Sequence, residues 1–172
     1  MKDTKLDIKY RHPSMRGWFA YELYNQMIID KNIYLIVGDL GYKMFDFIKE
    51  DFPDRFINTG SAEQAMIGIA VGLALQGKKP FVYSITPFLL YRPFETIRNY
   101  INAEKIPVRL VGAGRNKDYF IDGFSHWADE DKKIMKIFDN INALWPNDKT
   151  AIPLYVKKMV SQNKPWYINL RK

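Results

Sequence analysis

Glu63 and the residues that precede it carry the most chemical information in this sequence. The segment runs Asp54-Arg55-Phe56-Ile57-Asn58-Thr59-Gly60-Ser61-Ala62-Glu63-Gln64. Glu63 opens a stretch of Ala, Gly, Ile, Val and Met that reaches Leu75, so its carboxyl falls in the first turn of an apolar, small-residue helix. Two readings follow. An acid in a first turn meets the positive end of the helix dipole, worth roughly a few tenths of a kcal/mol, and Ser61 with Gln64 has capping-box spacing. Alternatively, a carboxyl shielded by apolar neighbours at the carboxyl end of a strand can relay a proton. Further polar candidates are Asp39 in Gly38-Asp39-Leu40-Gly41, which also has the composition of a turn, and Arg16, Arg92 and Arg115. Asp122 and His126 share the loop Asp122-Gly123-Phe124-Ser125-His126. A lone histidine is ordinarily a packing or surface residue, but one beside an aspartate at a strand end can handle substrate oxygens.

Several chemistries are excluded by motif. Gly112-Ala113-Gly114 is followed by Arg115-Asn116-Lys117, so the third glycine of a dinucleotide fingerprint is missing. There is no phosphate loop ending in Gly-Lys-Ser/Thr and no Gly-x-Ser-x-Gly elbow. Without cysteine, thiolate metal sites and disulfides are excluded, and His12 and His126 alone cannot make a histidine-rich metal centre.

The elements that must position these residues alternate along the chain. Helical spacing spans Met15 to Ile29, Met44 to Phe52, Ala62 to Leu75, Tyr91 to Ala103, Asp129 to Phe138 and Lys149 to Ser161. Short apolar runs at Ile33–Val37, Arg55–Asn58, Phe81–Ile85, Val108–Val111, Ile141–Leu144 and Trp166–Leu170 read as strands. Gly77 suits a left-handed cap for the third helix. The expected fold is α/β: a doubly wound, mainly parallel six-stranded sheet with helices on both faces. Ligands of such sheets bind at the carboxyl ends of strands, which points to the loops after Val37, Asn58, Ile85, Val111 and Leu144.

A chain of 172 residues, 47% hydrophobic, fits one domain with a full core. No apolar run approaches the about 20 residues of a membrane helix, and Met1 to Arg11 is too polar for a secretory signal. A cytoplasmic protein is expected. The net charge of +7 suits an acidic partner or an anionic small molecule. Lys and Arg are scattered as pairs such as Lys78-Lys79 and Lys157-Lys158, without the basic stripe of a nucleic-acid module.

From Asp54 to Arg98 the sequence resembles the pyrimidine-binding domain of the transketolase and deoxyxylulose-phosphate synthase family, which uses thiamine diphosphate. The resemblance rests on Asp39-Leu40-Gly41, Ser61-Ala62-Glu63-Gln64, Gly72-Leu73-Ala74 and Lys79-Pro80-Phe81-Val82-Tyr83-Ser84. It extends through the Asp122–His126 loop to Trp166-Tyr167-Ile168-Asn169-Leu170 and so covers nearly the whole chain.

The resemblance implies that Glu63 bonds a ring nitrogen of the cofactor's aminopyrimidine and drives the tautomer that deprotonates the thiazolium. Phe88 would stack on the pyrimidine, with Ile85 and Tyr91 lining the ring and Asp39 near the cofactor. Asp122 and His126 would meet sugar oxygens, although Phe124 and Ser125 replace the family's Pro and Thr. Arg16 would reach a substrate phosphate. The family holds the diphosphate and Mg2+ with a Gly-Asp-Gly…Asn domain, which residues 1–172 lack together with the C-terminal domain. The implied assembly is a split enzyme: a homodimer of this chain and a separate diphosphate-binding subunit, in a heterotetramer acting on sugars or sugar phosphates. The aromatic and Met side chains would then serve a subunit interface. Two alternatives stand beside two-carbon ketol transfer. One is a deoxyxylulose-phosphate synthase-like or keto-acid decarboxylating reaction; the other is a catalytically idle basic binding module.

Overall fold

The computed structural model describes residues 11–172, so the polar segment up to Tyr10 lies outside the described residues. Helix α1 (Met15–Ile29) starts where Ser14 accepts a hydrogen bond from the Gly17 amide, and Asp30 ends it. In chain order there follow β1 (Ile33–Val37), α2 (Asp46–Asp51), β2 (Phe56–Asn58), α3 (Glu63–Leu75) and β3 (Lys79–Ile85). Then come α4 (Thr86–Tyr91), α5 (Phe94–Thr96) with a π-helical continuation Ile97–Ala103, and β4 (Arg109–Ala113). Helix α6 (Asp131–Met135), β5 (Asn142–Leu144), α7 (Ile152–Ser161) and β6 (Trp166–Leu170) complete the chain.

The six strands form one parallel sheet in the order β2-β1-β3-β4-β6-β5. Alternate residues of each strand feed two cores, because both faces are covered. Ile33, Leu35, Val37, Phe81, Tyr83 and Val111 pack with α1, α2 and α7. Ile36, Val82, Leu110 and Tyr167 pack with α3, α4, the π-helical stretch and α6. The chain moves outward from β1 to β2, then crosses back to put β3 on the other side of β1. That reversal opens a crevice between the carboxyl ends of β1 and β3, where open α/β sheets bind ligands.

Several expected boundaries differ. The helix expected from Tyr91 begins at Thr86, because Pro87 suits a first turn, and it is interrupted at Pro93, which has no N–H to continue the ladder. The helix expected over Asp129–Phe138 is confined to Asp131–Met135. The last helix opens with a tight turn, Lys149–Ala151, capped by Asp148. Gly77 does close α3, at φ +75°. The methionines are core residues rather than interface residues: Met15, Met27, Met66, Met135 and Met159 are buried, Met44 is half-buried, and Met1 lies outside the described residues. Their flexible thioethers fill gaps between helices and sheet. Among the described residues no helix is long and apolar enough to cross a membrane.

Candidate functional site

Glu63 is the first residue of α3, only 1% exposed, and sits at the β1/β3 crevice. The capping box does not form: Ala62 is the N-cap, one residue later than the pattern needs, and the Gln64 amide donates to Thr96 Oγ1 instead. Ser84, at the end of β3, donates to Glu63 Oε1 at 2.9 Å. Gly38, the first residue after β1, lies so close that a Cβ there would sit 3.3 Å from Glu63 Oε1 and 3.2 Å from Ser84 Oγ. The Gly38 amide continues the ladder to the Tyr83 carbonyl, which fixes this approach.

The second carboxylate oxygen faces Arg92, whose Nη1 donates to Glu63 Oε2 at 2.5 Å. The Arg92 guanidinium also lies over the Phe88 ring, 3.9 Å from its centroid. Phe88 and Arg92 are four residues apart along the turns that begin at Thr86, so both reach the same side. His126 approaches Phe88 edge-on, with centroids 4.8 Å apart, and Tyr119 lies 6.4 Å beyond it. Arg16 donates to the Tyr119 hydroxyl at 2.9 Å. A string of contacts therefore runs Ser84, Glu63, Arg92, Phe88, His126, Tyr119, Arg16.

Arg16 also lines a cavity of about 380 Å³ with His12, Leu40, Gly41, Tyr42, Lys43 and Met44. Two buried polar atoms nearby, Arg16 Nε and the Tyr83 hydroxyl, have no hydrogen-bond partner among the described residues. Burial pushes the Tyr83 hydroxyl far above its ordinary pKa.

The start of α4 is held by a buried polar network. Thr86 donates to the Gly114 carbonyl at 2.7 Å, and Asn169 donates to Thr86 Oγ1, the Gly114 carbonyl and the Tyr167 hydroxyl. Tyr167 and Trp145 both donate to Asp131 Oδ2. Burial holds the Tyr167 hydroxyl protonated, with the Asp131 charge acting in the same direction. Arg115 belongs to this scaffold: it donates to Asn169 Oδ1 and to the carbonyls of Pro146 and Asn169, and is buried.

The structure thus brings Glu63, Phe88 and His126 together and joins Arg16 to them through Tyr119. Ile85 ends β3 at the same crevice, half-buried. Tyr91 is exposed and donates to Glu130 across the loop after β4. Asp122 lies exposed in a short turn, Phe120–Asp122, outside that string. Asp39 is exposed at φ +54°, and its carboxylate accepts from the Tyr42 hydroxyl and the Asn58 amide, which hold it below the usual range. Sequence reasoning named Arg92 without a role and missed Ser84, Tyr119 and Gly38. Among the described residues no group of three or more His, Asp or Glu could hold a metal ion.

Comparison with known proteins places these features in context. Residues 12–172 match the family described as "Transketolase, pyrimidine binding domain". The chain is 33% identical over 141 residues to a putative transketolase C-terminal section from Methanocaldococcus jannaschii, covering 81% of this chain and 45% of that protein. It is 33% identical to an apulose-4-phosphate transketolase subunit from Actinobacillus succinogenes, covering 74% and 41%. It thus spans less than half the length of either. A solved structure titled "Split gene transketolase, inactive beta4 tetramer" superposes with a TM-score of 0.80 at 32% identity, over 92% of this chain and 51% of that one.

Proposed function

This chain belongs to the transketolase pyrimidine-binding domain family, and from that premise we propose that it is the pyrimidine-binding subunit of a two-chain, thiamine diphosphate-dependent enzyme that transfers a two-carbon ketol unit between sugars or sugar phosphates. The names of its relatives, a C-terminal section, a transketolase subunit and a split-gene transketolase, support the division into two chains. Mg2+ and the diphosphate are held by the partner, and this chain contributes a homodimer to a heterotetramer. Its net charge of +7 favours an acidic partner surface.

The observation that carries the reading is the buried Glu63 carboxylate, joined to the Phe88 ring through the Arg92 guanidinium. The fit to an aminopyrimidine is supported by what already lies there: Arg92, a planar nitrogen cation, bonds Glu63 and covers Phe88 at once. When bound, thiamine diphosphate supplies the nucleophilic carbon that ketol transfer requires. Glu63 would hold the pyrimidine through Oε2 and could exchange a proton with it, while Ser84 keeps the carboxyl aimed by bonding Oε1. Phe88 would hold the ring by stacking, with Ile85 and Tyr91 as its further lining and Asp39, at the β1 turn, near the cofactor. His126 and Asp122 meet sugar oxygens from the loop after β4. Arg16, with His12 and Lys43 around its cavity, takes the anionic end of a sugar phosphate.

Calorimetry tests the division of labour. The isolated chain should show no saturable binding of thiamine diphosphate at micromolar concentration, and adding the diphosphate-binding chain with Mg2+ should create it. Tight, Mg2+-dependent binding by this polypeptide alone would contradict the two-chain reading.

A further inference from the structure

We infer that Arg92 is a placeholder for the cofactor: in the free subunit its guanidinium occupies the pyrimidine position, and cofactor binding must displace it. The inference rests on Glu63 and Phe88 forming the pyrimidine site proposed above. A guanidinium that donates to Glu63 Oε2 at 2.5 Å while lying 3.9 Å over the Phe88 ring fills the space between carboxylate and aromatic face. A pyrimidine bonding the same oxygen and stacking on the same face needs that space too, so the two are mutually exclusive.

The chemistry explains why a placeholder is useful. Glu63 is 1% exposed, and an ionised carboxylate left unpaired at such a depth is strongly disfavoured. A subunit that waits for a cofactor ring shared with another chain needs a counter-ion in the meantime. Arg92 suits that duty because its planar cation both pairs and stacks. It can also leave: its side chain is 43% exposed at the solvent-facing end of α4, so it can swing out and be hydrated. Ser84 stays on Oε1 in either state and keeps the carboxylate in place.

The test uses the isolated chain and a probe that needs no partner, 4-amino-5-hydroxymethyl-2-methylpyrimidine at millimolar concentration, followed by NMR. Arg92→Met should bind the probe about threefold to fivefold more tightly than wild type, the ratio set by losing one competing partly exposed ion pair. In wild type, saturation with the probe should move the Arg92 Nε–H resonance to the position of a solvated arginine. Phe88→Ala should weaken the probe in both backgrounds. If Phe88→Ala weakens binding but Arg92→Met binds equally or more weakly, Arg92 is not a placeholder and the site reading survives. Binding indifferent to Phe88→Ala, or no binding to either wild type or Arg92→Met, would overturn the site reading and the placeholder together. An Arg92 resonance unmoved at saturation would also overturn the placeholder.

Discussion

Alanine at two glycines should change stability in opposite directions, for reasons visible in the geometry of the site. Gly38 has a φ outside the left-handed region, so its backbone accepts Ala, and the unfolded chain loses freedom worth about 0.4–1 kcal/mol. Against this, the new Cβ lies 3.2 Å from Ser84 Oγ and 3.3 Å from Glu63 Oε1, and neither can retreat freely. Overpacking of this kind costs about 1–3 kcal/mol, and weakening a hydrogen bond to a carboxylate adds about 1 kcal/mol. The net expectation for Gly38→Ala is a loss of about 1–3 kcal/mol. Gly68 is the control. It lies inside α3, exposed, with nothing within 4 Å of an added Cβ, so Gly68→Ala should gain about 0.5–1 kcal/mol from helix propensity. Thermal unfolding followed by far-UV circular dichroism reads both. For a chain of this size each kcal/mol moves Tm by about 2–4 °C, so the two variants should separate by several degrees. Equal shifts in the same direction would refute the claim that Gly38 is held tightly against Glu63.

Two further perturbations test the scaffold. Arg109 is fully buried, and its guanidinium donates to the carbonyls of Met159, Gln162 and Pro107; burial lowers its pKa to about 10, so it stays charged at neutral pH. Arg109→Met should cost about 3 kcal/mol in urea unfolding, because the carbonyls at the end of α7 lose their donor, and a cost near zero would contradict this. Asp30 is pushed up by burial but pulled down further by Lys79 at 2.8 Å and by the Asn32 amide, so its folded pKa lies below its unfolded one. Its contribution is therefore present above about pH 4 and lost as pH falls through the folded value. The stability gap between wild type and Asp30→Asn should close on acidification, and a gap independent of pH would remove the ion pair from the account.

The sheet was legible because strands buried on both faces must be short, largely apolar runs; Ile33–Val37 is such a run and Trp166–Leu170 is one interrupted only by Asn169, both with their bounds intact. Glu63 was legible for a related reason: an acid opening an otherwise apolar helix stands out against its neighbours. Arg92 was not, since its role depends on where α4 starts. With a helix expected from Tyr91, Phe88 falls in a loop and Arg92 in a first turn; with the helix starting at Thr86, the two lie one turn apart on a shared side. Pro87, a first-turn residue, was the signal available. The Ser84 and Gly38 contacts come from parallel pairing of β1 with β3, which places Val37 opposite Tyr83 across a sequence gap that no local pattern encodes. Asp39 and Asp122 marked strand-end loops, yet in the free chain one is held by the Tyr42 hydroxyl and the Asn58 amide and the other faces solvent.

The central claim is that the Glu63 carboxyl exchanges a proton with the cofactor's pyrimidine, and hydrogen–deuterium exchange at the thiazolium carbon reads that act directly. In the complex assembled with the diphosphate-binding chain, Glu63→Gln keeps a side chain of the same shape that bonds the ring nitrogen but does not relay its proton. Fold, assembly and most cofactor affinity should persist, while exchange should slow by about 100- to 10,000-fold, the range of general acid–base contributions. An exchange rate within about threefold of wild type, small against that range, would contradict the account and leave Glu63 as a helix-start residue.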